Sequence, residues 1–262
     1  MAAVTHLVLP AAGFGTRMRA VDPDRPKELL PLGAGRVLDR AVMEAEAAGI
    51  REVVVVIRKG KEILRQHLED MGAPCTFTFV YQAEQLGECD AIYRAREVVG
   101  DAPFAVLYPD NVAAGPPTSL RSVLDCLARA QADRETRDVQ DMIALSAPRP
   151  EHCAGLGNAG RIDVENLHSG LVSITDFLPK GPGHFTPRFP GELRANGVYT
   201  SGPHFFAAVE QVRNHGYMGE LTDGKVRRAI LESGRRILGC PVGPVLDSGN
   251  PTGYAHLLEI LG

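Results

Sequence analysis

Apolar and polar positions change period along the chain, and the changes outline its elements. Residues 7–10 form a short apolar run that feeds a glycine-rich turn, and Val37–Ala48 then carries apolar side chains at helical spacing until Gly49 stops it. Residues 53–57 are an unbroken β-branched and aliphatic run, the pattern of a strand covered on both faces. Residues 61–71 predict a helix, Thr76–Tyr81 a strand, and residues 88–99 a helix ended by Gly100. Residues 104–108 predict a further buried strand that runs into Pro109-Asp110-Asn111. Strand, helix, strand alternation predicts an α/β chain with a mainly parallel sheet and helices on both faces. Ligands of such sheets bind beyond the carboxyl ends of the strands, and Gly13 and Asp110 both fall at that edge.

After a predicted helix at Ser119–Ala132 and a strand at 142–146, the texture changes. Residues 148–203 are rich in Gly, Pro and Asn, with short strands expected at 161–164, 171–177 and 197–201. Because apolar patches continue through this stretch, it reads as an insertion packed on the sheet and not as a free linker. Helices at His204–Asn214, 223–233 and 252–261 close the chain.

The chain is 44% hydrophobic and 23% charged over 262 residues, an ordinary globular balance that can bury a sizeable core. A formal net charge of −4 gives no overall basic field for nucleic acid, so any anion has to be met locally. Cys75, Cys89, Cys126, Cys153 and Cys240 are scattered, with no C-x-x-C pair or zinc spacing, and read as reduced thiols of a cytoplasmic protein. The first residues lack a basic region, and the apolar run 7–12 is too short for a signal peptide or a membrane span. Lysine is rare (Lys27, Lys59, Lys61, Lys180, Lys225), which makes each one worth locating.

Gly13-Phe14-Gly15-Thr16-Arg17 follows the first strand. Alone it fits a dinucleotide fold, a phosphate loop or a tight turn. Met18 stands where the third glycine of G-x-G-x-x-G would be, the next β-branched strand is followed by Arg58 and Lys59 where an acidic residue would bind ribose, and there is no G-K-[ST]. The dinucleotide and standard P-loop readings therefore lose. The glycines let backbone amides approach a triphosphate, Arg17 offers a forked donor, and Lys27 is framed by Pro26 and Pro31.

Leu9-Pro10-Ala11-Ala12-Gly13-Phe14-Gly15-Thr16-Arg17-Met18, with Pro26-Lys27-Glu28-Leu29-Leu30-Pro31-Leu32, resembles the signature of the sugar-1-phosphate nucleotidyltransferases, and is closest in wording to the bacterial UTP:glucose-1-phosphate uridylyltransferases. The resemblance implies a three-layer, Rossmann-like (GT-A-like) nucleotidyltransferase fold with a mostly parallel sheet and a small sugar-facing β insertion. It divides one domain into a nucleotide-binding part (1–147), a sugar-binding insertion (148–203) and C-terminal helices with a second metal aspartate (204–262). It also implies that Ala11, Ala12, Gly13, Gly15, Thr16 and Arg17 hold the triphosphate, that Lys27 contacts the α-phosphate, and that Gln82 and Gly87 read the base. Glu88-Cys89-Asp90 departs from the family's usual Ala or His pattern after that glycine, which leaves the base open.

Asp110, in Leu107-Tyr108-Pro109-Asp110-Asn111, and Asp247, in Val245-Leu246-Asp247-Ser248-Gly249-Asn250, match the family's two carboxylate segments and would share one Mg²⁺. Without the family context both are ordinary turn or helix-cap residues. Gly219-Glu220-Leu221-Thr222-Asp223 matches a further segment, in which Thr222 or Asp223 serves as a helix cap. Asn111, Gly160, Asn196 and Gly197 would line the sugar phosphate. The family's E-K-P tripeptide is replaced by Asp176-Phe177-Leu178-Pro179-Lys180-Gly181-Pro182, where Lys180 is either the sugar-phosphate lysine on a shifted loop, with Asp176 as a hydroxyl acceptor, or an exposed turn lysine. The implied partners are an NTP and a sugar 1-phosphate, with no nucleic acid or membrane; a homo-oligomer stays open. Competing readings are a guanylyl-, thymidylyl- or cytidylyltransferase of an unusual sugar or cyclitol phosphate, and a non-catalytic nucleotide sensor, against which the joint presence of Arg17, Lys27, Asp110 and Asp247 argues.

Overall fold

A computed structural model describes residues 3–116, 118–167, 170–215 and 219–262. In chain order the strands are β1 (His6–Pro10), β2 (Pro31–Leu32), β3 (Gly35–Arg36), β4 (Glu52–Ile57), β5 (Thr76–Tyr81), β6 (Phe104–Leu107), β7 (Asn111–Ala113), β8 (Asp141–Ser146), β9 (Ile162–Asn166), β10 (Val172–Phe177), β11 (Arg194–Ser201), β12 (Ile237–Pro241) and β13 (Val245–Asp247). One nine-stranded sheet has the order β5-β4-β1-β6-β11-β8-β12-β10-β9. β5, β4, β1 and β6 are mutually parallel, and β12 is parallel to β8. β11 and β10 point opposite to the other seven strands, so the sheet is mostly parallel in strand direction.

The continuous apolar run of β4 follows from its central place in the sheet. Val53, Val55 and Ile57 enter the core on one face with Leu7 and Leu9, while Val54 and Val56 enter the core on the other face with Val8. Alternation of side chains along a strand covered on both faces demands apolar residues at every position. A third, smaller core of Met18, Leu30, Leu32, Val112, Leu246 and Tyr254 ties the glycine-rich loop and the Lys27 loop to the C-terminal helix Pro251–Leu261. Tyr254 reinforces that tie by donating its hydroxyl to the Pro31 carbonyl at 2.6 Å.

Four expectations change. Residues 88–99 do not make one helix: helices Glu88–Tyr93 and Arg96–Val99 are separate, because Ala95 N bonds back only three residues, to Ile92 O, which tightens and ends the first. Strand β12 has no counterpart in the sequence reading. Its Gly239 breaks the apolar pattern, yet a Cβ there would fall 2.2 Å from Leu145 and 2.7 Å from Val172, so the two flanking strands require glycine. The stretch 148–203, read as packed on the sheet, supplies β9 and β10 at one edge and β11 inside, between β6 and β8. Finally, not all cysteines are reduced. Cys126, on the helix Ser119–Ala132, and Cys240, on β12, form a disulfide across 114 residues with Cα atoms 6.1 Å apart, a pairing that only the packing of that helix on the sheet creates. Cys75, Cys89 and Cys153 are free. Among the described residues no helix is long and apolar enough to cross a membrane.

Candidate active site

The glycine-rich loop leaves β1 at the carboxyl edge of the sheet. Ala11 N still donates to Val56 O at 2.8 Å, and beyond it the chain turns outward. Gly15 has φ of +63° and opens a single 3-10 turn, Thr16–Ala20; a side chain there would strain the left-handed backbone. Gly13, Thr16 and Arg17 are exposed at the loop's tip. The Lys27 stem runs beside Gly15, with Cγ 3.5 Å from where a Cβ on Gly15 would stand.

Lys27 starts a second short turn, Lys27–Leu29, directly after Pro26, and its Nζ donates to Asp110 Oδ2 at 2.5 Å. Burial works against its charge, but Asp110, Glu28 and Asp247 outweigh burial and raise its pKa above the ordinary lysine range. Lys27 is a fixed cation at neutral pH.

Asp110 and Asp247 meet because β13 pairs antiparallel with β7, with Asp247 opposite Asn111. Ser248 N closes the join by donating to the Asp110 carbonyl at 2.8 Å. Gly249 lies between the two carboxylates: a Cβ on it would stand 2.7 Å from Asp110 Oδ2 and 2.8 Å from Asp247 Oδ1, with Arg17 Nη2 at 3.5 Å. Burial pushes the Asp110 carboxyl up, and the Lys27 ammonium beside it reverses that and holds it below the usual carboxylate range. Asp247 goes the other way, raised by burial and then by the charge of Asp110. Asp247 also does what a turn residue does, since its Oδ1 accepts from Gly249 N at 2.7 Å and its Oδ2 from Asn250 Nδ2 at 3.1 Å. Asn250 in turn caps the C-terminal helix through Gly253 N at 2.9 Å.

Two hard carboxylate oxygens bordering one gap that a methyl group would fill suit a hard divalent cation. No third His, Cys, Asp or Glu joins them among the described residues, so further ligands of such an ion would be phosphate oxygens and water.

Sequence reasoning missed the pair that fixes this loop. Glu28 and Lys61 are 1% and 3% exposed, and Lys61 Nζ donates to both Glu28 carboxylate oxygens at 2.9 and 2.8 Å and to the Ala11 carbonyl at 2.8 Å. Burial lowers the Lys61 pKa while Glu28 opposes the fall. The scarcity of lysine was the only sequence signal. A second tie was also missed: Gln85 Nε2 donates to the Ala12 carbonyl at 3.1 Å.

At the positions expected to read the base, Gln82 Nε2 donates to the Gly87 carbonyl at 3.1 Å and to Asp90 Oδ2 at 2.8 Å. Gly87, at φ +103°, approaches Leu221 so closely that a Cβ would lie 2.6 Å from its N and O. Thr222 is the cap residue of helix Asp223–Glu232, but its side chain makes no capping bond. Glu88 Oε1 instead accepts from Asp223 N at 3.0 Å, and burial raises the Glu88 pKa.

At the positions expected to line the sugar phosphate, Asn111 bridges Asp110 to β11, donating Nδ2 to Asp110 Oδ1 at 3.1 Å and accepting from Gly197 N at 3.0 Å. Gly197 must be glycine, because a Cβ would sit 2.2 Å from the Tyr108 ring. We expect Gly197→Ala to cost about 1–3 kcal/mol through overpacking, read as a lower urea midpoint with unchanged slope. Asn196 is buried and donates to Ser146 Oγ at 3.1 Å, inside the sheet. Gly160, at φ +72°, accepts at its carbonyl from Ala195 N at 2.7 Å. Asp176 is paired with Arg228 Nε at 3.0 Å, and Lys180 is exposed. Neither lines the cavity of about 270 Å³ that opens beside Arg17, Leu156, Gly157, His184 and Asn250. The structure thus gathers Arg17, Lys27, Asp110, Asn111, Gly197 and Asp247, pairs Asp176 with Arg228, buries Asn196 against Ser146, and leaves Lys180 exposed and near enough to Glu88 for its charge to oppose the rise in that carboxyl's pKa.

Residues 6–142 match a protein-family model described as nucleotidyl transferase. The chain is 28% identical to a UTP–glucose-1-phosphate uridylyltransferase of Staphylococcus saprophyticus over 243 residues, covering 84% of this chain and 80% of that protein. It is 25% identical over 274 residues to a UTP–glucose-1-phosphate uridylyltransferase of Pseudomonas aeruginosa, covering 96% of this chain and 93% of that one. A crystal structure of UDP-glucose pyrophosphorylase complexed with UDP-glucose superposes with a TM-score of 0.77 at 23% identity, covering 98% of this chain and 97% of the other.

Proposed function

Because the chain belongs to the nucleotidyl transferase family, we propose that it transfers a nucleoside monophosphate from an NTP, with UTP favoured, to a sugar 1-phosphate, releasing pyrophosphate. Relatives named for glucose 1-phosphate make that hexose phosphate the first substrate to try. A cytoplasmic setting, where both substrates are made, belongs to this reading. The observation that carries the reading is the convergence of Lys27, Asp110, Asp247 and Arg17 around Gly249, at the mouth of a backbone loop open enough for phosphate.

A phosphate oxygen of the sugar 1-phosphate attacks the α-phosphorus of the NTP in line. The new P–O bond forms as the bond to the bridging oxygen breaks, and that oxygen leaves with the electron pair as pyrophosphate. The nucleophile is already anionic near neutral pH, so no general base is needed, and the work is positioning and charge neutralisation. Amides of 11–16 cradle the triphosphate, Arg17 offers two N–H groups to the leaving pyrophosphate, and Lys27 stands against the α-phosphate, where charge builds up. Asp110 and Asp247 would hold Mg²⁺, which when bound supplies Lewis-acid neutralisation of the phosphate oxygens. Asn111 orients Asp110 and carries the sugar-side strand at the correct distance.

Pyrophosphate release measured across the common NTPs and a panel of sugar 1-phosphates, with Mg²⁺, tests the proposal. We expect the highest rate with UTP and a hexose 1-phosphate. Silence with every pair would leave the site without a catalytic role.

A further inference from the structure

Base selection at this site depends on which end of the Gln82 amide faces the ligand, an argument that rests on the function just proposed. Gln82 follows β5, its backbone N extending the sheet by donating to Ile57 O at 2.8 Å. Its Nε2 is turned inward onto Gly87 O and Asp90 Oδ2. Both partners can only accept, so reversing the amide would set oxygen against oxygen twice; the orientation is chemically forced and not a matter of assignment. Gln82 Oε1 accepts from no described residue and is not among the buried atoms left without a partner. With Nε2 committed to those two acceptors, Oε1 is the end of the amide left for a ligand, in a side chain that is otherwise enclosed, Gln82 being 2% exposed.

Asp90 is unusually well held for this task. It is 0% exposed, its Oδ1 accepts from Arg94 Nη2 at 2.8 Å and from Arg213 Nη2, and Arg94 Nε reaches its Oδ2 at 3.3 Å. Both Asp90 oxygens are met by N–H donors, so the group it turns toward Gln82 is an acceptor. Arg213 comes from the distant helix His204–Asn214, and Asp90 belongs to the segment in which this chain departs from the family pattern.

We propose that Asp90 is a positioning residue that locks the Gln82 amide with its oxygen outward, and that this selects bases bearing an imino N–H, such as uracil, over cytosine, which presents a lone pair at the same ring nitrogen. An acceptor set against an acceptor leaves both unsatisfied and desolvated, a penalty that commonly amounts to tenfold or more in selectivity.

The test compares kcat/KM for UTP and CTP, with one sugar 1-phosphate, in the wild type, Asp90→Asn and Asp90→Glu. In Asp90→Asn the two arginines retain the remaining oxygen and the new amide nitrogen points at Gln82, so only the Gly87 carbonyl still favours the original orientation and the form with NH₂ toward the ligand becomes populated. The UTP-to-CTP ratio should fall about tenfold or more. Asp90→Glu keeps an acceptor-only partner and should keep a ratio near that of the wild type, even where the overall rate drops. A ratio in Asp90→Asn within about twofold of wild type, or an equal fall in Asp90→Glu, would overturn the inference. If Asp90→Asn does not fold, Asp90→Gln read against Asp90→Glu replaces it; if the wild type releases no pyrophosphate and the proposed reaction itself fails, calorimetric Kd values of UTP and CTP for the wild type and the Asp90 variant decide. A wild-type preference for UTP of about tenfold or more that the amide variant loses supports the inference, and equal affinity in the wild type, or a preference unchanged in the variant, refutes it.

Discussion

Lys27→Ala is expected to lower kcat/KM for pyrophosphate release by a factor on the order of 10² to 10³ while leaving the far-ultraviolet dichroism unchanged. Two effects act together. The variant removes the cation proposed to face the α-phosphate, and it also removes the ammonium that counters burial of the Asp110 carboxylate. Asp247 is already raised by burial and by its neighbour, so without the Lys27 charge the two adjacent carboxylates are held in anionic form less well. Asp110→Ala should cause a loss of similar size by the complementary route, leaving Lys27 without its ion-pair partner. If either variant kept more than about a tenth of wild-type activity, the assigned roles would fall. Lys27→Arg should not rescue, because a planar forked guanidinium cannot reproduce the compact ammonium contact that Lys27 Nζ makes with Asp110 Oδ2.

The parts of this site that could be read from sequence are those in which a polar residue ends an apolar run. Asp110 follows β6 and Asp247 closes β13, so both stand out against the strands that carry them. Lys27 stands out through the prolines around it. What remained hidden depends on which side chains meet in space. Glu28 and Lys61 look like surface charges when each is read alone, since a one-dimensional pattern cannot show that two opposite charges neutralise one another in the interior. Gly239 hides β12 because glycine reads as a breaker, although here it is the flanking side chains that require it. Asp90 is similar: its neighbours in sequence suggest a helix surface, yet its partners include Arg213 from another helix. The same limit applies to the sugar side, where Asp176 is paired with Arg228, a contact that no spacing rule would suggest.

Lys61→Met should destabilise the fold by about 3–5 kcal/mol, the usual cost of leaving one member of a buried ion pair without its partner. Exposure of only 1% for Glu28 and 3% for Lys61 places this pair well outside the surface class, whose members contribute little. Glu28→Leu combined with Lys61→Met should recover much of that loss, because an apolar pair of similar volume needs no desolvation. Recovery should stop short of wild type, since the Ala11 carbonyl would still lack the Lys61 donor, an unsatisfied buried acceptor worth about 1–3 kcal/mol. Urea unfolding of the two single variants and the double variant closes the cycle. A single-variant loss under about 1 kcal/mol would contradict the claim that the pair is buried and essential. Activity gives an independent readout. Ala11 begins the loop proposed to cradle the triphosphate, and Glu28 follows Lys27 directly, so the double variant should fold yet bind NTP more weakly, with KM raised more than kcat is lowered. The buried pair would then owe its place in the chain to the geometry of the phosphate loop more than to net stability.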